Sequence, residues 1–285
     1  MPYKNSEFHT SQDILTNQQC EKKIETPYSI QGEKRRINTA VAGLFKENSK
    51  KSERQTECLF GEEVLILEHG ETMSKVEALK DGYVGYIDTQ ILCTSTIKQT
   101  HIVSVPRTFQ YSQADLKKTV ERALSMGSKV TVIDVTETRG TMYSILENGT
   151  AIVSSHLRPI EYTFKDYVNV AQTFIRTPYL WGGVSGFGLD CSGLVQLSMM
   201  MAGKTVLRDT SMQEQTIGKQ LTDIDVLERG DFIFWKGHVA IMIDYENIIH
   251  ANGYSMDVMV EPLETAIIRI AKSGKHPVAK RRPLQ

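Results

Sequence analysis

A cysteine placed where a helix begins is a candidate nucleophile, and this chain has one in Asp190-Cys191-Ser192-Gly193-Leu194-Val195-Gln196. The run follows a glycine-dense segment, Tyr179-Leu180-Trp181-Gly182-Gly183-Val184-Ser185-Gly186-Phe187-Gly188, and leads into apolar residues that read as a buried helix from Cys191 to Ala202, closed by Gly203. At such a position the unpaired N–H groups and the positive end of the helix dipole favour thiolate over thiol, and thiolate is the nucleophile. A cysteine nucleophile also needs an imidazole to accept its proton and a third polar group to fix the imidazole's tautomer. His238 opens an alternating strand, Gly237-His238-Val239-Ala240-Ile241-Met242-Ile243, and His250 ends the next one, Asn247-Ile248-Ile249-His250. A hairpin through Asp244-Tyr245-Glu246-Asn247 would bring the two rings together. Cys20, Cys58 and Cys93 have no comparable setting and read as small apolar residues. Without CxxC spacing, neither a zinc ribbon nor a disulfide framework is expected, and the thiols are expected to be reduced.

The elements that must position these groups follow from periodicity. Apolar residues from Phe164 to Ile175 recur at helical spacing until Pro178, and three strands follow at Phe232–Trp235, Val239–Ile243 and Asn247–His250, so residues 161–285 read as α+β. Upstream the signal is short strands and tight turns. Residues 24–100 carry strands at Glu63–Glu68, Ser74–Leu79 and Gly82–Ile87, and residues 101–160 carry them at Val103–Val105, Lys129–Val135, Thr141–Leu146 and Thr150–Val153. Units this small are marginal alone, so both are expected to pack on something larger. Residues 1–23 are polar and non-periodic and read as a mobile arm.

With 285 residues, 40% of them hydrophobic, the chain supports several compact units and excludes wholesale disorder. The 33 basic and 34 acidic residues leave no field that would collect nucleic acid or an anionic membrane. Lys34-Arg35-Arg36 and Lys280-Arg281-Arg282 read as solvated surface. No apolar run approaches a membrane span and the first thirty positions lack a signal-peptide core, so the expected setting is cytoplasmic. No P-loop, dinucleotide fingerprint or HExxH string occurs, and neither a metal nor a cofactor is expected.

Five strings together resemble the NlpC-type cysteine peptidases of bacterial cell-wall turnover, which have a papain-like core. They are Pro178-Tyr179-Leu180-Trp181-Gly182-Gly183, the Asp190–Gln196 run, Arg229-Gly230-Asp231-Phe232-Ile233-Phe234-Trp235, Gly237-His238-Val239-Ala240-Ile241 and His250-Ala251-Asn252-Gly253. The resemblance covers roughly residues 164–283 and implies Cys191 as nucleophile, His238 as general base and His250 as its orienting partner. Thr56-Glu57-Cys58-Leu59-Phe60-Gly61-Glu62, Asp81-Gly82-Tyr83-Val84-Gly85-Tyr86-Ile87 and His156-Leu157-Arg158-Pro159-Ile160 are similar to the YkfC-like branch, in which two small SH3-like β-barrels precede the peptidase domain. Where such barrels usually carry a Trp, this chain has Met73-Ser74.

That branch cleaves the bond between γ-D-glutamate and a diamino acid in murein peptides with a free L-Ala amine. The resemblance therefore implies a small murein peptide as partner, with no obligate protein partner. It places Tyr179, Asp190 and Ser192 around the L-Ala–γ-D-Glu end, and Glu57 with Tyr83 or Tyr86 on the ammonium. Asp190 is also a good helix cap, and Trp181 reads as packing. No residue is assigned to the leaving side, so meso-diaminopimelate and lysine both fit. The same residues are compatible with a Cys-His amidase or acyltransferase on a wall or lipid substrate, and with a non-catalytic murein-peptide binder.

Overall fold

In the computed structural model, which describes residues 32–94, 97–222 and 224–284, the first strand-rich region is an antiparallel sheet folded over its own apolar face. Its strands are β1 (Glu33–Ile37), β2 (Val41–Phe45), β3 (Arg54–Leu59), β4 (Glu63–Glu68), β5 (Met73–Ala78), β6 (Val84–Asp88) and β7 (Leu92–Cys93), in the order β3-β2-β6-β5-β4-β1-β7. Alternation puts Leu44, Val64, Val76 and Ile87 inward, all fully buried, together with Cys58. Met73 and Ser74, where such barrels usually carry a Trp, are also buried, and Ser74 Oγ lies 2.8 Å from Thr89 Oγ1. The arm expected at residues 1–23 lies outside the described residues.

The second region has two small sheets built from β8 (His101–Val103), β9 (Arg107–Tyr111), β10 (Val120–Ser125), β11 (Lys129–Val130), β12 (Val132–Thr138), β13 (Thr141–Leu146), β14 (Ala151–Val153) and β15 (Leu157–Pro159). Their orders are β10-β9-β14-β13-β12 and β11-β8-β15. The single strand expected at Lys129–Val135 is divided between the two sheets. The break falls at Thr131, whose hydroxyl donates to Lys98 O, while Val132 N donates to Thr100 Oγ1. β12 then runs along an edge with Ile133 and Val135 exposed.

The third region packs helices against a six-stranded sheet, the expected α+β arrangement. Helices α1 (Tyr167–Gln172), α2 (Cys191–Met201), α3 (Thr210–Thr216) and α4 (Leu263–Ala271) accompany β16 (Val184–Ser185), β17 (Gly188–Leu189), β18 (Lys219–Gln220), β19 (Phe232–Trp235), β20 (His238–Met242), β21 (Asn247–Asn252), β22 (Asp257–Pro262) and β23 (Pro277–Arg282). The sheet order is β18-β23-β19-β20-β21-β22, and β16 pairs with β17. Apolar around nearly its whole circumference, α2 is buried at every residue but Met200, against Phe232, Phe234, Val239, Ile241 and Ile249. α1 is shorter than the Phe164–Ile175 spacing suggests. Asp166 caps it by accepting from Val168 N and Asn169 N, Phe164 N bonds Met201 O instead, and Phe174 and Thr177 close 3₁₀-type turns before Arg176 at φ 70°.

The three regions pack as one unit. Leu59 from β3 and Met126 from the second region are about 1% exposed and belong to the same core as Leu194, Leu197 and Phe234. The expected small-barrel dependence on a larger partner thus takes the form of a shared core. Both tryptophans, Trp181 and Trp235, lie in the third region, so their fluorescence reports its unfolding. Leu59→Ala leaves a cavity and is expected to cost about 2–5 kcal/mol. A urea titration followed by tryptophan fluorescence should show the midpoint fall although the substitution is in the first region; an unmoved midpoint would mean independent units.

Candidate active site

The nucleophile candidate is held by its neighbour. Asp190 is the N-cap of α2, and its Oδ1 accepts from Gly193 N at 2.7 Å while Oδ2 accepts from Gly182 N at 2.9 Å. One carboxylate thus joins the first turn of the helix to the glycine loop. The approach is close enough that a Cβ on Gly193 would lie 2.1 Å from Gly183 O, and Gly182 sits at φ 72°, so side chains are excluded at both points. Arg208, 2% exposed, completes the cap: its Nη1 donates to Asp190 Oδ1 at 3.0 Å and to Ser192 Oγ at 2.7 Å, its Nη2 to Asp190 Oδ2, and its Nε to Thr56 Oγ1 of β3 at 2.8 Å.

The glycine loop is held from outside as well. Val184 N donates to Glu57 Oε2 at 2.9 Å, and Gly186 N donates to Ser125 Oγ at 2.8 Å, one bond from each upstream region. This corrects the expected role of Glu57. Its carboxylate is 3% exposed, bonded to Arg54 and the loop, and does not line the cavity beside Cys191. Burial raises its pKa, with the Val184 N–H opposing.

Cys191 is 7% exposed, with Thr210 Oγ1 3.8 Å from its sulfur and the Val239 N–H of β20 directed at it. The expected lowering of its pKa is not met in the free site. Burial pushes the thiol up and the Asp190 carboxylate adds to this, against the Val239 N–H, Thr210 and Arg208. His238 is pushed down to about 3, by burial first and then by His250, Arg269 and Lys275. The free site therefore favours a neutral Cys191 thiol and a neutral His238 imidazole.

The tautomers follow from a chain of contacts. His238 Nε2 is 2.9 Å from His250 Nδ1, and His250 Nε2 approaches Glu261 Oε1 to 2.9 Å, a charge contact rather than a well-directed hydrogen bond. Glu261 also pairs with Arg269. The carboxylate only accepts, so the His250 proton sits on Nε2. Nδ1 then accepts from His238 Nε2–H, leaving His238 Nδ1 as a free base. The hairpin pairing anticipated for the two rings is present, with Glu261 as a fourth member that the sequence did not reveal. Its only signal is its place in the run Val258-Met259-Val260-Glu261, and register sets it beside Ile248 on β21.

A cavity of about 360 Å³ opens over the sulfur, and Tyr179, Asp190 and Ser192 are among the residues that line it. Trp181 lines it too and is 60% exposed, with Nε1 donating to Glu53, so it is not the packing residue its size suggested. Tyr83 does not line the cavity itself, but it lies just before β6 and its hydroxyl is 3.5 Å from Oδ2 of Asp209, which does. Tyr86, within β6, does not line the cavity. Arg208, Asp209 and Thr210 were missed. Asp209 precedes α3 at the N-cap yet makes no capping bond, so its half-buried carboxylate faces the cavity uncommitted except to Tyr83. Burial raises its pKa and Arg208 opposes. An Asp ahead of Thr210-Ser211 is a helix-start signal, but sequence could not show that the side chain does something else.

Residues 176–272 match the NlpC/P60 family, and residues 44–92 match the bacterial dipeptidyl-peptidase SH3 domain. A dipeptidyl-peptidase 6 of Lysinibacillus sphaericus is 29% identical over 243 residues, covering 79% of this chain and 89% of that protein. A γ-D-glutamyl-L-lysine dipeptidyl-peptidase of Bacillus cereus is 27% identical over 258 residues, covering 78% of this chain and 74% of that protein. The crystal structure of an NlpC/P60 family protein from Bacillus cereus superposes with a TM-score of 0.74 at 22% identity, over 89% of this chain and 100% of that one, and shows that the α+β, papain-like fold is shared.

Two outcomes follow from the geometry. Because His238 stays neutral well below the ordinary imidazole value of about 6.5, the acid limb of the pH–rate profile should fall below that value, and a limb near 6.5 would contradict the burial argument. Glu261→Gln replaces an acceptor-only carboxylate with an amide that can also donate, so the tautomer is no longer fixed. It should lower kcat by on the order of 10-fold or more and shift that limb, whereas a merely structural Glu261 would change thermal stability and leave the profile in place.

Proposed function

Because the chain carries an NlpC/P60 peptidase domain behind a bacterial SH3 domain, we propose that it is a cysteine peptidase that hydrolyses the γ-D-glutamyl–diamino acid bond of murein peptides whose L-Ala amine is free. The observation that carries this reading is the carboxylate of Asp209 in the cavity that holds Cys191, free of a capping bond and held only by the Tyr83 hydroxyl. A half-buried carboxylate with spare acceptor capacity suits an ammonium and rejects a capped amine, which would leave the charge unpaired. Asp209 thus takes the part expected of Glu57, while Tyr83 keeps its own. The relatives' names supply the bond type: the Bacillus cereus protein is called a γ-D-glutamyl-L-lysine dipeptidyl-peptidase.

In this reading His238 Nδ1 takes the Cys191 proton as sulfur attacks the γ-carbonyl carbon of D-Glu, so a neutral resting pair becomes ionised only as the S–C bond forms. The N–H groups of the first turn of α2 lack intrahelical partners, and in this reading that of Cys191 stabilises the oxyanion. His238 returns the proton to the diamino-acid nitrogen as the C–N bond breaks. Water then adds to the thioester, giving a proton to His238, and the dipeptide leaves as the thiol is restored. His250 and Glu261 hold the imidazole through both steps.

A free L-Ala amine exists only on peptides already cut from the sugar strands, so the proposed role is peptidoglycan recycling. The proposed setting is the cytoplasm, where a reduced Cys191 would persist. The test is mass-spectrometric hydrolysis of L-Ala-γ-D-Glu-meso-diaminopimelate and of the lysine peptide, each beside its N-acetylated form. Cleavage of the free-amine peptides, lost in Cys191→Ala, is expected. Asp209→Asn should raise KM about 10-fold. Equal cleavage of acetylated peptides would remove the amine receptor, and no cleavage of any peptide would overturn the reading.

A further inference from the structure

Two charged side chains in the same cavity have no use in the scheme so far. Glu214 is half-buried, Lys236 is exposed, and both line the space over Cys191. Neither has a hydrogen-bond or ion-pair partner among the described residues. The cavity's other cation, Arg208, is neutralised by Asp190. We propose that Glu214 and Lys236 form the leaving-residue subsite, Glu214 taking the side-chain ammonium of the diamino acid and Lys236 its α-carboxylate. The inference rests on the peptidase reading and extends it to the side of the scissile bond to which no residue had been assigned.

The placement follows from the elements. Thr210 Oγ1 is 3.8 Å from the sulfur, and Glu214 stands four residues on, one turn along the same face of α3 and about 6 Å further from Asp209. Along α3 the order is thus amine receptor, scissile centre, Glu214. Lys236 and Gly237 form the two-residue turn between β19 and β20, closed by the Trp235–His238 pair. His238 must protonate the leaving nitrogen, so the residues beside it face the leaving group. The α-carboxylate is borne by the carbon attached to that nitrogen, within the reach of a lysine side chain starting two residues from His238. Lysine as leaving residue offers one ammonium and one carboxylate to one Glu and one Lys. The second carboxylate of meso-diaminopimelate would lie against Glu214, a like-charge contact.

The experiment measures kcat/KM of the full chain on L-Ala-γ-D-Glu-L-Lys, the norleucine analogue that lacks the ammonium, the C-terminal amide of the lysine peptide, and the meso-diaminopimelate peptide. Glu214→Gln should lower kcat/KM on the lysine peptide about 10-fold, and native and variant should converge on the norleucine peptide. Glu214→Gln should also narrow the native preference for lysine over meso-diaminopimelate. Lys236→Met should lower kcat/KM on the free acid about 10-fold, and the two enzymes should converge on the amide. Losses of equal size on every peptide would overturn the subsite while leaving the peptidase standing. A Lys236→Met loss that persists undiminished on the C-terminal amide would overturn the assignment of Lys236. If the native chain cleaves none of the peptides, both readings fall together.

Discussion

The buried pair between Arg208 and Asp190 is the constraint on which the remaining geometry depends. A guanidinium 2% exposed is tolerable only when its donors are matched, and here Asp190, Ser192 and Thr56 match them. The same Asp190 carboxylate satisfies Gly182 N and Gly193 N, so the helix start, the glycine loop and the first region meet at one ion pair. Removing either partner would leave a bare charge in the core and the Cys191 helix without its cap. A second link runs alongside, from Gln196 Nε2 of α2 to Asp81 Oδ2 in the turn that carries Tyr83. The position of Tyr83 relative to the sulfur is therefore set by bonds to the nucleophile's own helix.

Burial explains the electrostatic character of the site. A dry thiol and a dry imidazole both favour their neutral forms, and the cationic neighbours Arg269 and Lys275 push His238 further in the same direction. The site holds its proton until a substrate carbonyl offers somewhere for charge to go. The His238–His250–Glu261 chain then makes sense as a device for direction rather than for basicity: it holds the His238 ring through His250, and Arg269 pairs with the Glu261 that ends the chain.

What could be read in the sequence was what short spacing determines. Asp190 before Cys191, the apolar run of α2, and two histidines across a tight hairpin all depend on contacts within a few residues, and each is found where expected. What could not be read depends on how separate regions dock. Glu57 and Asp209 are both carboxylates at plausible positions, and only the packing of β3 against the glycine loop decides that the first becomes a strut and the second faces the cavity. Tyr83 and Tyr86 could not be told apart because the boundary between turn and strand, at Val84, was not visible. Trp181 was misjudged because size suggests the core, whereas its indole N–H is used at the surface by Glu53. The shortened α1 is the same lesson on a smaller scale, since one capping aspartate outweighed an apolar pattern twice its length.

The two backbone bonds that fasten the glycine loop, Val184 N to Glu57 and Gly186 N to Ser125, come from different upstream regions. A chain in which either region has not yet docked leaves one of these N–H groups without its protein acceptor, in the segment next to Cys191. Arg208 Nε is likewise unpaired until β3 arrives. Incomplete docking is therefore felt first in the loop beside Cys191. A chain built this way ties the order of that loop to the arrival of both upstream regions.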